Sequence, residues 1–382
     1  MMRKIRSALK LFERQVRDFF RIVRLCHRAA PLYSPNYFKV FLRALRLCFQ
    51  EQFSAKEAFR LGLFNPNLSP GQLSKYISKK NLLNIQLSIN PISCDPLVRD
   101  KGIFYRYCMA LGIPIPKLYA IFFRTTAGWS CKGAILTSRS NWEKFFDNQL
   151  PMEFVIKPAR GSHGRKVNIF SRNEEGFIDA FGKTYRAADI YDTMLWAHQY
   201  DSFIIQERLK NHPELVRLND VPFLQTVRII TFVDRNNHCQ ILHAYLKLIT
   251  GQNVTDNFDD GLSGNMEVEA SLDDGVLGPA IALAPNGLVI KNNHPKTGLS
   301  FDRFQLPLWE PTCKLIKKTA PMFLPLRTIG WDVALTPNGP CILEANSWWG
   351  APNQHRRMDV ILDALSHNQS RKQIPASLFK KR

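Results

Sequence analysis

No run of uncharged apolar residues in this 382-residue chain approaches the roughly 18 to 20 that a membrane-spanning helix requires, so none is expected. The eight cysteines, Cys26, Cys48, Cys94, Cys108, Cys131, Cys239, Cys313 and Cys341, are scattered, with no C-x-x-C and no histidine at zinc spacing. That excludes a disulfide framework and a structural zinc site, and it fits a reducing compartment. The N-terminus is basic, but charges every few residues leave no apolar core for a signal peptide, and a cytoplasmic location is expected. Internal repeats, low-complexity tracts, H-E-x-x-H and a readable Ser-His-Asp arrangement are all missing. Acidic residues are scarce: 32 Asp and Glu stand against 52 Lys and Arg, a net charge of +20. Such a field attracts polyanions, whether nucleic acid, anionic lipid, acidic polysaccharide or nucleotide, without specifying a fold.

What is present is globular. Hydrophobic residues make up 45% and aromatics 11%, enough for a sizeable core, and the length suits two or three domains. The first fifty residues carry much of the charge excess. Leu9, Phe12, Val16, Phe19 and Val23 recur at steps of three and four, the signature of an amphipathic helix, with arginines and lysines between them. A second helical run, FLRALRLCFQEQF, follows the prolines at 31 and 35. Two readings stay open: a helical hairpin packed on the body with a solvated basic face, or docking of residues 1–30 on an anionic membrane surface. The aromatics lie on the apolar face rather than forming a stacking platform, so no nucleic-acid module is expected.

The turn residues of NPNLSPGQ mark a boundary, giving a basic helical region over 1–66. From about residue 90 strands and helices alternate. DKGIFYRYCMALGIPIPKLYAIF reads as a helix, a stop at Gly112 and a strand; FVIKP and KVNIF are strands around a glycine-containing loop; SFIIQERL, TVRIITFV, QILHAYLKLI, TIGWDVAL and CILEANSW complete the set. Several adjacent antiparallel pairs make the class α+β. The basic tail over 366–382 has little pattern.

The last hairpin carries the sharpest chemical signal. TPNGP fits a three-residue loop with Pro337 first, Asn338 second and Gly339 left-handed. That loop pairs Thr336 with Pro340 and sets Asp332 directly opposite Glu344, with Asn346 further along the same face. The other face carries Trp331, Val333, Leu335, Cys341, Leu343 and Ala345. Carboxylates facing each other across a strand pair, with Cβ atoms about 4.5 to 5.5 Å apart, repel. Either a hard divalent cation held by oxygen ligands compensates, or one carboxylate is protonated or paired with Lys or Arg.

FVIKPARGSHGRKV contains no P-loop. Gly161 and Gly164 would let backbone N–H groups approach an anion, Ser162 adds a donor, and Lys157 ends the preceding strand. A basic hairpin turn is the plainer alternative. Arg228 and Lys247 sit inside otherwise apolar strands, where a cation is costly unless it meets an anion. Each alone could be an edge-strand charge. Together with Lys157 and the carboxylate pair they form the inventory of phosphoryl transfer: cations and metal around a phosphate, with little covalent chemistry from the protein.

DKGIFYRYCMALGIPIP, FVIKPARGSHGRKV, FIIQERL, TVRIITF, HPKTGLSF and IGWDVALTPNGPCILEANSWWG, in that order over roughly residues 60 to 355, resemble the ATP-grasp superfamily, and most closely its sugar-transfer-associated branch. The resemblance implies an ATP-grasp domain over 67–365, in which two α+β lobes clamp ATP. It implies Lys101 and Lys157 on the ATP phosphates, Gly161, Ser162 and Gly164 as a flap over them, and Gln206 and Glu207 facing adenine and ribose. Arg228 would lie near the transferred phosphate, Lys247 and Asn257 would match residues of glutamate-ligase relatives, and Asp332, Glu344 and Asn346 would hold Mg²⁺. DNFDDGLSGN departs from the family, which tends to have paired glycines where Gly261 and Gly264 are separated. The implied activity is ATP-dependent coupling of a carboxylate to an amine through an acyl phosphate. Its setting would be surface-polysaccharide synthesis, with a uronic acid or acidic glycan as carboxylate. A sugar kinase on the same scaffold, or a non-catalytic module that binds acidic glycans or membranes, is the alternative.

Overall fold

A computed structural model describes residues 2–161, 166–250, 253–351 and 358–367. Ser162 and Gly164, and the tail beyond residue 367, lie outside the described residues. The chain forms two compact units: one of residues 1–88, 281–291 and 350–382, the other of residues 89–280 and 292–349.

The smaller unit is built on α1 (Met2–Tyr33), α2 (Tyr37–Phe49) and α3 (Ala55–Arg60). Asn36 caps α2 by accepting from the Lys39 backbone, and Ser54 and Glu57 close a reciprocal capping box on α3, satisfying N–H groups that a helix start leaves orphaned. Val40, Ala44 and Leu47 of α2 pack at helical spacing against Ile22, Leu25, Cys26 and Ala29 of α1. The buried stripe of α1 is therefore turned around the helix from the expected one. Val16 and Phe19 are exposed, and the Leu9 and Phe12 side chains are not among those described. Apolar spacing shows that a helix has a greasy side, while the position of α2 decides which flank is covered.

The larger unit holds two antiparallel sheets. In the first, β1 (Leu118–Phe123), β2 (Trp129–Ser130), β3 (Glu153–Pro158), β4 (Asn168–Asn173), β5 (Gly176–Asp179), β6 (Thr184–Tyr185) and β7 (Ser202–Glu207) lie in the order β2-β1-β7-β3-β4-β5-β6. Phe154, Phe170 and Phe177 from its strands and Trp142 and Phe146 from the helix Arg139–Gln149 form its core. The helix Lys101–Ala110 starts on Asp100, which accepts from the backbones of Gly102 and Ile103. Gly112 (φ +63°) ends the segment before β1, as its position in the sequence implies.

The second sheet of this unit contains β8 (Thr226–Val233), β9 (Cys239–Leu248), β10 (Met266–Ala270), β13 (Thr328–Thr336) and β14 (Gly339–Asn346), while β11 (Leu277–Ala284) passes at residue 281 into the smaller unit, which holds β12 (Gly287–Lys291). Within the larger unit the order is β10-β9-β8-β13-β14. Every residue of β13 is buried, as suits a strand with neighbours on both sides. Tyr245, Arg228, Asp332 and Glu344 stand in one row across β9, β8, β13 and β14.

The final hairpin differs from expectation at its turn. Thr336 pairs with Gly339, not Pro340, so the loop is the two residues Pro337 and Asn338, and Gly339 has φ +119°. The register then shifts by one between Asp332 and Val333, where a bulge accommodates Leu343, and Asp332 still faces Glu344. The shorter turn and the bulge cancel at the carboxylates but not between them. Cys341 pairs with Ala334 on the carboxylate side, and Ile342 takes the place opposite Val333 that the expected register gives to Leu343. A bulge inserts one residue and re-aims those that follow, and alternation along the strand gave no sign of it.

Candidate active site

The row across the second sheet gathers buried charge. Arg228 donates to both carboxylate oxygens of Asp332, through Nε at 2.6 Å and Nη2 at 3.0 Å. Lys247 lies two residues along β9 from Tyr245 and so shares its face; its ammonium is 3.2 Å from Asp332 and 3.3 Å from Asp256. Asp256 is anchored in turn, accepting from the Thr226 backbone at 2.8 Å and the Thr226 hydroxyl at 2.5 Å.

Glu344 meets Lys101, whose Nζ is 2.9 Å from its carboxylate and 3.3 Å from the Gly161 carbonyl. The Lys101 backbone N–H also donates to the Ala159 carbonyl. The end of β3, the loop after it and the helix Lys101–Ala110 thus converge on the carboxylate row. Tyr105, one helical turn beyond Lys101, completes the junction. Its hydroxyl is 2.9 Å from the Gln206 side-chain oxygen and 3.0 Å from the Leu343 carbonyl, and accepts from Lys157 at 3.3 Å. Bulging at Leu343 thereby turns a backbone carbonyl into a partner for this network.

Burial and charge set opposing forces on these groups. Burial raises the Asp332 carboxyl, but Arg228 and then Lys247 outweigh it and hold the group below its ordinary range. Burial raises Glu344 as well, and Lys101 reverses the sign. Asp256 differs: burial dominates, Lys247 only partly offsets it, and its pKa is raised. Burial opposes a charged Lys247, yet Asp256 and Asp332 carry it above the usual lysine value. Lys157 goes the other way. Burial, with repulsion from Lys101, lowers its ammonium to about 7, and among the described residues it has no ion pair. Desolvation without a counterion gives that direction.

The repulsion expected between Asp332 and Glu344 is thus answered by side-chain cations: Arg228 and Lys247 on one, Lys101 on the other. Both carboxylates stay ionised, so the donors are hard oxygens. Among the described residues no cluster of three or more His, Cys, Asp or Glu side chains stands ready to hold a metal. The Asn346 amide nitrogen is buried without a hydrogen-bond partner among the described residues. Glu344 keeps a side-chain exposure of 28% against 5% for Asp332. An amide nitrogen of this kind calls for an acceptor, because a native interior seldom leaves such a donor unpaired, and an anionic ligand would supply one; the partly open Glu344 carboxylate beside it is an oxygen donor that suits a hard cation.

Of the residues singled out in the sequence, Lys101, Lys157, Gly161, Gln206, Arg228, Lys247, Asp332 and Glu344 are joined through this network. Glu207 is occupied at the strand edge, its carboxylate accepting from the Lys117 backbone at 3.1 Å. Asn257 offers its backbone carbonyl to Asn265 at 2.9 Å. Two members were not singled out: Tyr105, hidden in an ordinary helical pattern, and Asp256, adjacent to Asn257 in a loop whose glycine spacing drew the attention instead.

A family model described as sugar-transfer associated ATP-grasp matches residues 83–363. No curated protein sequence matches the chain. Among solved structures, D-alanine–D-alanine ligase from Bacillus anthracis is similar with a TM-score of 0.40 and 11% identity, over 74% of this chain and 71% of that one. Phosphoribosylamine–glycine ligase from Thermotoga maritima is similar with a TM-score of 0.43 and 12% identity, over 74% of this chain and 57% of the other. For D-alanine–D-alanine ligase from Helicobacter pylori the values are 0.38, 11%, 72% and 59%.

Proposed function

The chain belongs to the sugar-transfer associated ATP-grasp family, and from that premise we propose that it is an ATP- and magnesium-dependent carboxylate–amine ligase of surface-polysaccharide or glycoconjugate synthesis. The observation that carries this reading is the unmatched buried cation. Lys101, Arg228 and Lys247 each meet a carboxylate, Glu344, Asp332 and Asp256 respectively, whereas buried Lys157 has no ion pair among the described residues. A buried lysine held near neutrality awaits an anion, and a nucleotide phosphate supplies one.

In this reading Lys101 and Lys157 bind the ATP phosphates under the loop that contains Gly161, Ser162 and Gly164, and Gln206 and Glu207 face the adenine and ribose. Arg228 and Lys247 stabilise charge on the phosphoryl group in flight, held in place by Asp332 and Asp256. Asp332, Glu344 and Asn346 would hold Mg²⁺, which when bound supplies Lewis-acid charge neutralisation at the phosphates. The acceptor carboxylate oxygen attacks the terminal phosphorus and ADP leaves. The amine nitrogen then attacks the acyl carbon, phosphate leaves and the amine loses a proton. Preorganised cations suit this chemistry because they need no rearrangement as charge shifts.

Hydroxylamine trapping tests the reaction class. Incubation with ATP, Mg²⁺, a uronic acid and hydroxylamine should give a hydroxamate together with ADP. ADP without hydroxamate, with phosphate found on a sugar hydroxyl, would identify a kinase.

Residues 1–30 are assigned a peripheral contact with an anionic membrane, at its cytoplasmic face, in support of which Phe19, Phe20 and Phe38 are exposed. Truncating them would remove Ile22, Leu25, Cys26 and Ala29 from the core. The better test is F20S/F38S, which should release the protein from anionic vesicles; unchanged binding refutes the contact.

A further inference from the structure

The smaller unit contains a pocket that the nucleotide chemistry does not use. It has a volume of about 400 Å³ and lies between α1, α3 and the turn joining β11 to β12. Four of its lining residues are cations: Arg24 and Arg28 of α1, and Lys56 and Arg60 of α3. None of the residues lining it is a carboxylate.

The cluster is built rather than incidental. Leu25 and Phe59, both buried, form its floor. Arg28 is fixed twice, donating to the Pro285 carbonyl and lying 5.0 Å over the Phe59 ring. Gly287 (φ +128°) lets the turn approach α3 so closely that a Cβ there would lie 2.8 Å from the Arg60 carbonyl oxygen. Like charges gathered at one concavity repel and are costly to keep together.

We propose that the pocket among Arg24, Arg28, Lys56 and Arg60 binds a phosphate or diphosphate group, separately from the nucleotide site. Several cations in one concavity can deliver charge-assisted hydrogen bonds to the oxygens of one phosphoryl group, and the apolar floor tolerates the carbon to which it is attached. The source is either a lipid-borne phosphate or a soluble one.

The test uses the full chain, with saturating ADP so that phosphate does not report on Lys157. Pyrophosphate binding is measured by calorimetry for the wild type, R24Q/K56Q and the charge-matched control R17Q/K39Q, with melting temperature as the folding check. R24Q/K56Q should weaken binding about tenfold or more, the loss expected for hydrogen bonds between ions, while the control binds as the wild type does. Phosphatidylcholine vesicles with and without phosphatidic acid identify the source. Binding that needs phosphatidic acid and fails in R24Q/K56Q alone assigns a lipid phosphate; pyrophosphate binding without vesicle binding assigns a soluble one. Equal behaviour of the two variants, or no binding of either probe by the wild type, overturns the proposal.

Discussion

Arg228 and Asp332 stand directly opposite each other on β8 and β13 and share two hydrogen bonds, at 2.6 and 3.0 Å. The bidentate clasp orients the guanidinium in the plane of the carboxylate and leaves its outer edge for another anion. Asp332 is therefore a shared counterion, touching Lys247 as well. Removing it would leave two cations buried beside each other.

For that reason D332N should be among the most destabilising single changes in the larger unit. Breaking a buried ion pair by deleting one partner costs roughly 3 to 5 kcal/mol. Urea unfolding of D332N, R228Q and the double variant should show strong coupling, with the double variant less impaired than the sum of the singles. Additive effects would mean that the pair is not an energetic unit.

Lys157 should titrate when nucleotide binds. Its folded-state value is about 7 against an ordinary 10.5, so near neutrality it is partly deprotonated, and an anion drawn against it restores the proton. Calorimetric titration with Mg-ATP at pH 7.5 should give apparent enthalpies that differ between buffers of different ionisation heat, in the direction of proton uptake. Identical enthalpies would refute contact between Lys157 and the phosphates.

The same lysine affects stability alone. Its folded pKa is depressed, so the unfolded chain binds more protons between about 7 and 10.5 and this group's contribution to stability rises with pH across that window. K157M should stabilise the ligand-free protein at pH 7, and the gain should shrink toward pH 10. A destabilised K157M, or a gain that grows with pH, would contradict the assigned burial cost.

Glu344 gives a pH dependence of the same sign at the acid end, but as a stabilising group rather than a costly one. Lys101 holds its carboxyl below the ordinary 4.5, so its contribution is present above that value and is lost as pH falls through the folded-state pKa. E344Q should remove this acid-limb dependence, lower the melting temperature at pH 7 because Lys101 loses its partner, and abolish ADP release although the protein still folds. Near-normal turnover would end the assignment of Glu344 to the metal and phosphate site.

The sequence disclosed the site's charges better than their supports. Period-two alternation and a short turn were enough to place Asp332 against Glu344, because inward-facing residues pin a strand's register. They could not reveal that the turn is one residue shorter and that Leu343 bulges, since two compensating shifts leave the same pair opposed. Arg228 and Lys247 were conspicuous as cations in apolar strands, and Lys157 as the end of the strand before the glycine-containing loop. Tyr105 was not, because a tyrosine in a helix looks like core until its hydroxyl is seen between Lys157 and Gln206. Asp256 became legible only when Lys247 and Thr226 closed on it from strands adjacent to its loop.

Asp256 is also where the fine control of Lys247 resides. Burial alone would lower that ammonium; Asp256 is the largest of the three carboxylate contributions that raise it, ahead of Asp332 and Glu344. D256N keeps a similar shape and a hydrogen-bond acceptor for Thr226 but deletes this charge. The pKa of Lys247 should fall, so the alkaline limb of ADP release should move to lower pH, with activity at pH 6 less affected than at pH 9. A uniform loss of rate at every pH would instead indicate a packing role, and an unshifted profile would remove Lys247 from the groups that must be charged for turnover.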